Sequence, residues 1–215
     1  MSQYHKIQTV YKRDPDNNYR TLLEGEWAKP EFGYLAGLEW MWTEKVDGTN
    51  MRVIYTRGDG PHLSFGGKTD RAQIPAPLAN HMAQEFSVEH LADVFGEKDA
   101  VLYGEGYGGK IQKAGATYGG EQRFVLFDAF VNGTWLERGT LELLAEDLNV
   151  PLVPVVGRGG LPQMVEAVRS GLPSKWGAFD AEGIVARPAI ELVNRFGERV
   201  ITKLKHKDFP KEETP

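Results

Sequence analysis

The stretch Thr43-Glu44-Lys45-Val46-Asp47-Gly48-Thr49-Asn50 separates two runs, 38–43 and 51–55, that are rich in aromatic, apolar and β-branched residues. Runs of this kind bounded by turn signals read as strands. The charged groups of 43–50 therefore fall on a turn between two rigid elements, where a site can be kept in register. Further strands are predicted at 100–103, 124–130, 183–187 and 199–204. Helical pattern occupies 77–86, 140–148 with Thr140 as N-cap, and 162–170 with Gly171 as the stop. The 25 Gly and 12 Pro are spread along the chain, favouring short strands and tight turns over long helices. One α+β domain over 1–215 with few peripheral helices is the economical reading. It has a frayed tail at 210–215, no internal repeat and no low-complexity tract.

Composition narrows the function. The 25 Lys and Arg against 30 Asp and Glu leave a net charge of −5, so no global positive field holds nucleic acid and any polyanion site must be a local patch. With 0 Cys, disulfides, thiol catalysis and Cys-ligated zinc or iron–sulfur centres are excluded, and a reducing cytoplasm is the expected compartment. No apolar run approaches a membrane span, and the first residues open no signal-peptide core.

Lys45, taken alone, reads as a surface lysine in a turn. As a nucleophile it must lose a proton, which requires nearby positive charge or desolvation. In Val200-Ile201-Thr202-Lys203-Leu204-Lys205-His206-Lys207, alternation puts Lys203, Lys205 and Lys207 on one strand face and Leu204 on the other. That face is either a lysine-guarded sheet edge or a phosphate clamp. Glu182 precedes an apolar strand and is either a turn residue or a carboxylate that holds a divalent cation through its waters. Glu105 lies in the Gly-rich run 103–109, where a ligand can approach the backbone and a carboxylate suits ribose hydroxyls. In 124–130, Phe124, Leu126, Asp128 and Phe130 are expected on one face, and Val125, Phe127 and Ala129 on the other. An aromatic there packs in the core or, if its face lines a cleft, stacks on a base.

In this order the residues resemble the covalent nucleotidyltransferase superfamily and, within it, phage-type RNA ligases. Lys45-Val46-Asp47-Gly48-Thr49-Asn50 matches the nucleophile motif K-x-D-G-x-N, and Leu102-Tyr103-Gly104-Glu105 resembles the third motif. Phe124-Val125-Leu126-Phe127-Asp128 is similar to the aromatic strand that follows, and Glu182-Gly183-Ile184-Val185 and Lys203-Leu204-Lys205 resemble the fourth and fifth motifs. Asn50 stands where DNA ligases and capping guanylyltransferases usually carry Arg, which tilts the resemblance toward RNA ligases.

The resemblance implies an ATP-grasp-like nucleotidyltransferase fold of mainly antiparallel sheets around a nucleotide cleft, and an adenylyltransferase acting as a monomer. It implies ATP and Mg²⁺ or Mn²⁺ as cofactors, and RNA with 5′-phosphate and 3′-hydroxyl ends as partner. Lys45 would form a lysyl-adenylate, the AMP would pass to the RNA 5′-phosphate, and the 3′-hydroxyl would displace it. By the same resemblance Glu44 contacts the adenine edge, Phe127 stacks on the base, Glu105 binds ribose, and Asn50 and Lys68 belong to the nucleotide site. Lys203 and Lys205 neutralise the α-phosphate, while Asp47 and Glu182, with Glu105, hold the metal through water. Lys68, or Arg71 three residues on, stands where the family often has an arginine.

The sequence ends shortly after Lys205, so no appended C-terminal domain is expected. RNA would then be held by Lys68, Arg71, Lys110, Lys113, Lys203, Lys205 and Lys207. Two rival readings come from other classes. Gly104-x-Gly106-x-x-Gly109 with Asp128 further on matches a dinucleotide fingerprint, but the following 110–120 is broken by glycines where that fingerprint needs a helix. An RNA-end-binding or nucleotide-sensing module without turnover is the other rival. It sits poorly with the joint presence of Lys45, Glu182, Lys203 and Lys205.

Overall fold

The computed structural model describes residues 3–209; the tail expected to fray lies outside them. Two compact units emerge, one from Lys6–Val46 with Pro154–Pro215, the other from Met1–His5 with Asp47–Val153. The chain begins the first unit with β1 (Gln8–Thr9), β2 (Tyr11–Arg13), β3 (Leu22–Trp27), α1 (Pro30–Tyr34) and β4 (Trp40–Lys45). It builds the second from β5 (Thr49–Thr56), β6 (His62–Gly66), α2 (Ala76–Glu85), α3 (Val88–Phe95), β7 (Ala100–Tyr107), β8 (Arg123–Val131), β9 (Thr134–Trp135) and α4 (Arg138–Asp147). It then completes the first with β10 (Val155–Gly159), α5 (Leu161–Arg169), β11 (Gly183–Pro188) and β12 (Thr202–Lys205). The α+β expectation holds, with the sheets antiparallel except where β1 runs parallel to β12.

In the first unit the sheet order is β1-β12-β11-β4-β10. Alternation along β4 sends Trp40 and Trp42 into a core with Ile184, Ala186 and Leu204. Helix α5 covers that core with Leu161, Met164, Val165 and Val168, the i, i+3, i+4, i+7 stripe of an amphipathic helix. β2 and β3 form a separate antiparallel pair. The second unit is an antiparallel sheet ordered β6-β5-β7-β8-β9. Its core joins Met51, Val53 and Tyr55 of β5 to Leu78 and Met82 of α2, Leu91 and Phe95 of α3, and Leu141 and Leu144 of α4.

Several expectations change, each for a local reason. Helix α4 starts at Arg138, so Thr140 lies inside it and is not the N-cap. Arg138 fastens the first turn by donating to Glu142 at 2.7 Å and to the Val153 carbonyl at 3.0 Å. The strand expected from 199 begins at Thr202, because Arg199 is drawn into the 191–199 turn by ion pairing to Glu191. Lys207 is not on that strand. It belongs to a 3₁₀ turn, His206–Asp208, whose Asp208 Oδ2 accepts the Lys205 N–H at 3.1 Å.

The Gly-rich run 103–109 is strand as far as Tyr107, since β5 and β8 hydrogen-bond it from both sides. The alternation expected in 124–130 is broken by a register shift at Phe127, with Tyr103 opposite Asp128 but Gly104 opposite Leu126. Ala129 therefore joins Phe124 and Leu126 in the core. Asp128, fully buried, instead accepts the Tyr4 hydroxyl at 2.7 Å.

Gly183 is the tightest point of the first unit's sheet. A Cβ there would lie 2.1 Å from the Leu204 carbonyl oxygen, which is backbone and cannot swing away. We expect Gly183→Ala to cost about 1–3 kcal/mol by overpacking, seen as a lowered urea midpoint. An unchanged midpoint would show that β11 and β12 are not pressed together as described.

Candidate functional site

Strand register builds the first cluster. Lys45 of β4 and Lys205 of β12 both pair with Gly183 of β11. Two strand spacings put these lysines about 10 Å apart at the backbone, with no side chain between them. Both reach toward Glu182, the residue before β11. Lys45 Nζ lies 2.5 Å from Glu182 Oε2, and Lys205 Nζ lies 2.5 Å from Oε1. Lys203 stands one row back on the same face, opposite Val185. Two ammoniums thus share one carboxylate, and a third lies on the same strand face.

The electrostatics follow from that count. Burial pushes the Glu182 carboxyl up, but the adjacent Lys45 and Lys205 ammoniums outweigh it and hold the group below the usual carboxylate range. Lys203 is held below the ordinary lysine value, first by burial and then by Lys205, Lys45 and Arg13, with only Asp208 opposing. A half-buried cation without an ion pair among the described residues is a good receiver for an anionic group.

Glu44 sits elsewhere. It alternates with Lys45 along β4, is 2% exposed, and serves the 172–181 loop. One carboxylate oxygen accepts the Ser174 hydroxyl at 2.6 Å and the other the Lys175 N–H at 2.8 Å. The clustered face therefore holds Lys45, Glu182, Lys203 and Lys205, without Glu44.

The second unit carries the remaining residues. Asn50 of β5 pairs with Glu105 of β7, and the Asn50 Oδ1 is buried without a hydrogen-bond partner. A buried orphan acceptor is costly and suits a site that expects a donor. Gly48 passes so close to β7 that a Cβ would meet the Gly106 carbonyl at 2.1 Å and Glu105 Cγ at 2.8 Å. The turn is tied to 112–118, as Gln112 donates to the Gly48 carbonyl at 2.9 Å and the Asp47 N–H to the Tyr118 hydroxyl at 3.2 Å. Phe127 is half-buried at the β8 bulge, and the Tyr4 ring meets it edge-on at 5.1 Å.

Lys68 and Arg71 are exposed. A buried arginine that the sequence reading did not single out is Arg52 on β5, which donates to the Gly67 carbonyl at 3.0 Å and to Asp70 at 2.7 Å. Its signal was faint, because a charged residue between Met51 and Val53 reads as the solvent side of a strand. No α-helix follows Gly104-x-Gly106-x-x-Gly109, only a 3₁₀ turn at Gly115–Tyr118, so the dinucleotide rival lacks its anion-binding helix. Among the described residues no three His, Asp or Glu gather to hold a metal ion directly. No described helix is long and apolar enough to cross a membrane.

Comparison with known proteins sets the class to which this antiparallel α+β fold and lysine-rich strand face belong. The family model described as RNA ligase matches residues 38–205, and the chain belongs to that family. Solved structures agree on the fold. An apo variant of Naegleria gruberi RNA ligase matches with TM-score 0.66 and 20% identity over 96% of this chain. A variant with ATP and Mn matches with TM-score 0.69 and 18% identity over 95%. The enzyme with PPi matches with TM-score 0.65 and 20% identity over 95%. This chain spans 58%, 56% and 58% of those proteins, respectively. A search of curated proteins found no match.

The Glu182 shift fixes the sign of a pH effect. A carboxylate held low in the folded state stabilises it above the ordinary value near 4.3, and that stabilisation is lost as pH falls through the depressed value. In urea unfolding, the stability of the wild type relative to Glu182→Gln should fall on acidification below about pH 4. A difference that stays constant with pH would contradict the ion-pair geometry.

Proposed function

We propose that the chain is an ATP-dependent RNA ligase that works through a lysyl-adenylate on Lys45. The observation that carries this reading is the shared ion pair of Lys45 and Lys205 on Glu182, with Lys203 on the same face. Membership of the RNA ligase family supports it. The similar structures carry ATP, AMP, PPi and Mn, which is the set such a reaction requires.

Lys45 Nζ, after losing its proton, attacks the α-phosphorus of ATP. A P–N bond forms, the bond to the bridging oxygen breaks, and pyrophosphate leaves with that electron pair. An oxygen of the RNA 5′-phosphate then attacks the same phosphorus, forming a P–O–P link and returning the electron pair to Lys45. In the third step the RNA 3′-hydroxyl attacks the 5′-phosphate, losing its proton and expelling AMP. Phosphoryl transfer depends on positioning and charge neutralisation. Lys203 and Lys205 supply the positive charge, while Glu182 holds Lys45 in place and can exchange its ammonium partner for substrate.

Glu44 reaching the adenine edge, Phe127 stacking on the base, Glu105 on ribose, and Asn50 and Lys68 at the nucleotide remain parts of the same proposal. The unsatisfied Asn50 Oδ1 suits a hydroxyl donor. Carboxylate oxygens of Asp47, Glu105 and Glu182 are suited to hard Mg²⁺ or Mn²⁺. Because Glu182 already serves two ammoniums, the ion would be held through water. When bound it would offset charge on the phosphates. The proposed substrate carries 5′-phosphate and 3′-hydroxyl ends, and the proposed setting is a monomer in the cytoplasm.

Incubation with labelled ATP and a divalent metal should label the wild type covalently, while Lys45→Ala takes no label and keeps its fold by circular dichroism. Label on Lys45→Ala would refute the nucleophile. ATP should be preferred to GTP by at least about tenfold, since a site built for one base edge leaves polar groups unpaired with another. Equal labelling would refute the adenine contacts.

A further inference from the structure

The first unit contains a cavity of about 770 Å³ that includes the outward side of β12 but extends well beyond the Lys45 row. Its far wall comes from 6–20, a segment with no role in the mechanism above. Parallel pairing of β1 with β12, Gln8 opposite Thr202 and Thr9 opposite Lys203, brings that segment alongside the lysines. Lys6, Lys12, Arg13 and Arg20 thereby join Lys203, Lys205 and Lys207 on the lining, where Asp208 is the sole carboxylate. Lys12 pairs with Glu26, Arg13 with Asp208 and Lys205 with Glu182. Among the described residues Lys6, Arg20, Lys203 and Lys207 have no ion pair. In a chain of net charge −5, such a concentration of cations is a local anion site.

The cavity has an aromatic rim as well. Tyr19 lines it, is 63% exposed, and follows Asn18 with both residues at positive φ, 50° and 59°. Left-handed backbone at two successive non-glycine residues is unfavourable and persists only where the surroundings enforce it. Here the turn is closed by Tyr19 N–H to the Asp14 carbonyl at 2.8 Å, Asp14 N–H to the Thr21 carbonyl at 3.0 Å, and Arg13 to the Tyr19 carbonyl at 3.2 Å. The outcome is a large ring held out beside a row of cations. Cations that track phosphates next to an aromatic face form the pattern that holds single-stranded nucleic acid.

We propose that this cavity holds the RNA strand, with successive phosphates on Lys6, Arg20 and Lys207 and a base stacked on Tyr19. The assignment rests on the ligase reading and extends it to the strand-holding surface. It adds to the cations expected from sequence a set from 6–20 that no sequence pattern marks. The cavity is larger than one phosphate needs, and its continuity with Lys203 and Lys205 leads a bound strand toward the reacting face.

The test uses the full chain as wild type, Lys6→Glu/Arg20→Glu, Tyr19→Ala and Tyr19→Phe, probed with a fluorescent 5′-phosphorylated single-stranded RNA. Covalent labelling by ATP is measured in parallel. The charge reversal should weaken RNA binding by about tenfold or more and flatten the slope of log K against log salt by about 0.7 for each phosphate that is no longer neutralised. Tyr19→Ala should weaken binding without changing that slope, and Tyr19→Phe should restore it. ATP labelling should be unaltered in all three. RNA binding unchanged by the charge reversal would overturn the proposal. So would a rise in the ATP concentration needed for labelling with RNA binding intact, since the cavity would then serve the nucleotide's own phosphates. Failure of the wild type to label with ATP would instead count against the ligase reading, because RNA binding is read separately.

Discussion

One carboxylate holds the lysine face together. Glu182 stands between Lys45 and Lys205, which come from strands on either side of β11 and are separated in sequence by most of the chain. Two ammoniums about 5 Å apart repel by about 3 kcal/mol at an effective dielectric near 20, and Lys203 adds to that on the same face. Without a shared anion such a face would splay toward solvent. With it, two lysines stay part-buried and aimed at one point, and the carboxylate remains ionised because their attraction overcomes its burial. Gly183 makes the arrangement possible, since any side chain there would drive β11 off β12.

The same arrangement suits the proposed reaction. An amine stored as an ammonium on a carboxylate is unreactive until something displaces the contact. An arriving phosphate is drawn to three cations and offers them a better partner than a single carboxylate. Burial first, and then the neighbouring cations, lower the cost of taking a proton from a lysine here, as the depressed Lys203 illustrates. The cationic wall from 6–20 continues that field away from the lysine face, so one strand, β12, belongs both to the proposed phosphoryl transfer and to the surface proposed to hold the strand.

How much of this was legible in the sequence depended on range. Lys203 and Lys205 were readable because they lie on a strand whose alternation is unbroken, so face follows from parity. Lys45, expected on a turn, instead ends strand β4, and it and Glu182 were marked only by their resemblance to the family motifs. Phe127 and Asp128 were misread, because a bulge is one extra residue and leaves no mark in an apolar run. Thr140 had the right side chain for an N-cap, but Arg138 found partners that started the helix earlier. The 6–20 segment was illegible for another reason. Its strands are two and three residues long, and β1 is placed by pairing with β12 almost two hundred residues away. The Glu44 loop contacts are equally non-local, since Ser174 and Lys175 lie in an irregular segment.

The most direct measurement is the mass and position of the nucleotide adduct on the wild-type chain after brief exposure to ATP and Mg²⁺, followed by peptide mapping. The account predicts one AMP per chain on the peptide containing Lys45, through a phosphoramidate link that is lost in acid and survives base. AMP on the peptide carrying Lys203 and Lys205, or no adduct on a folded chain, would contradict it.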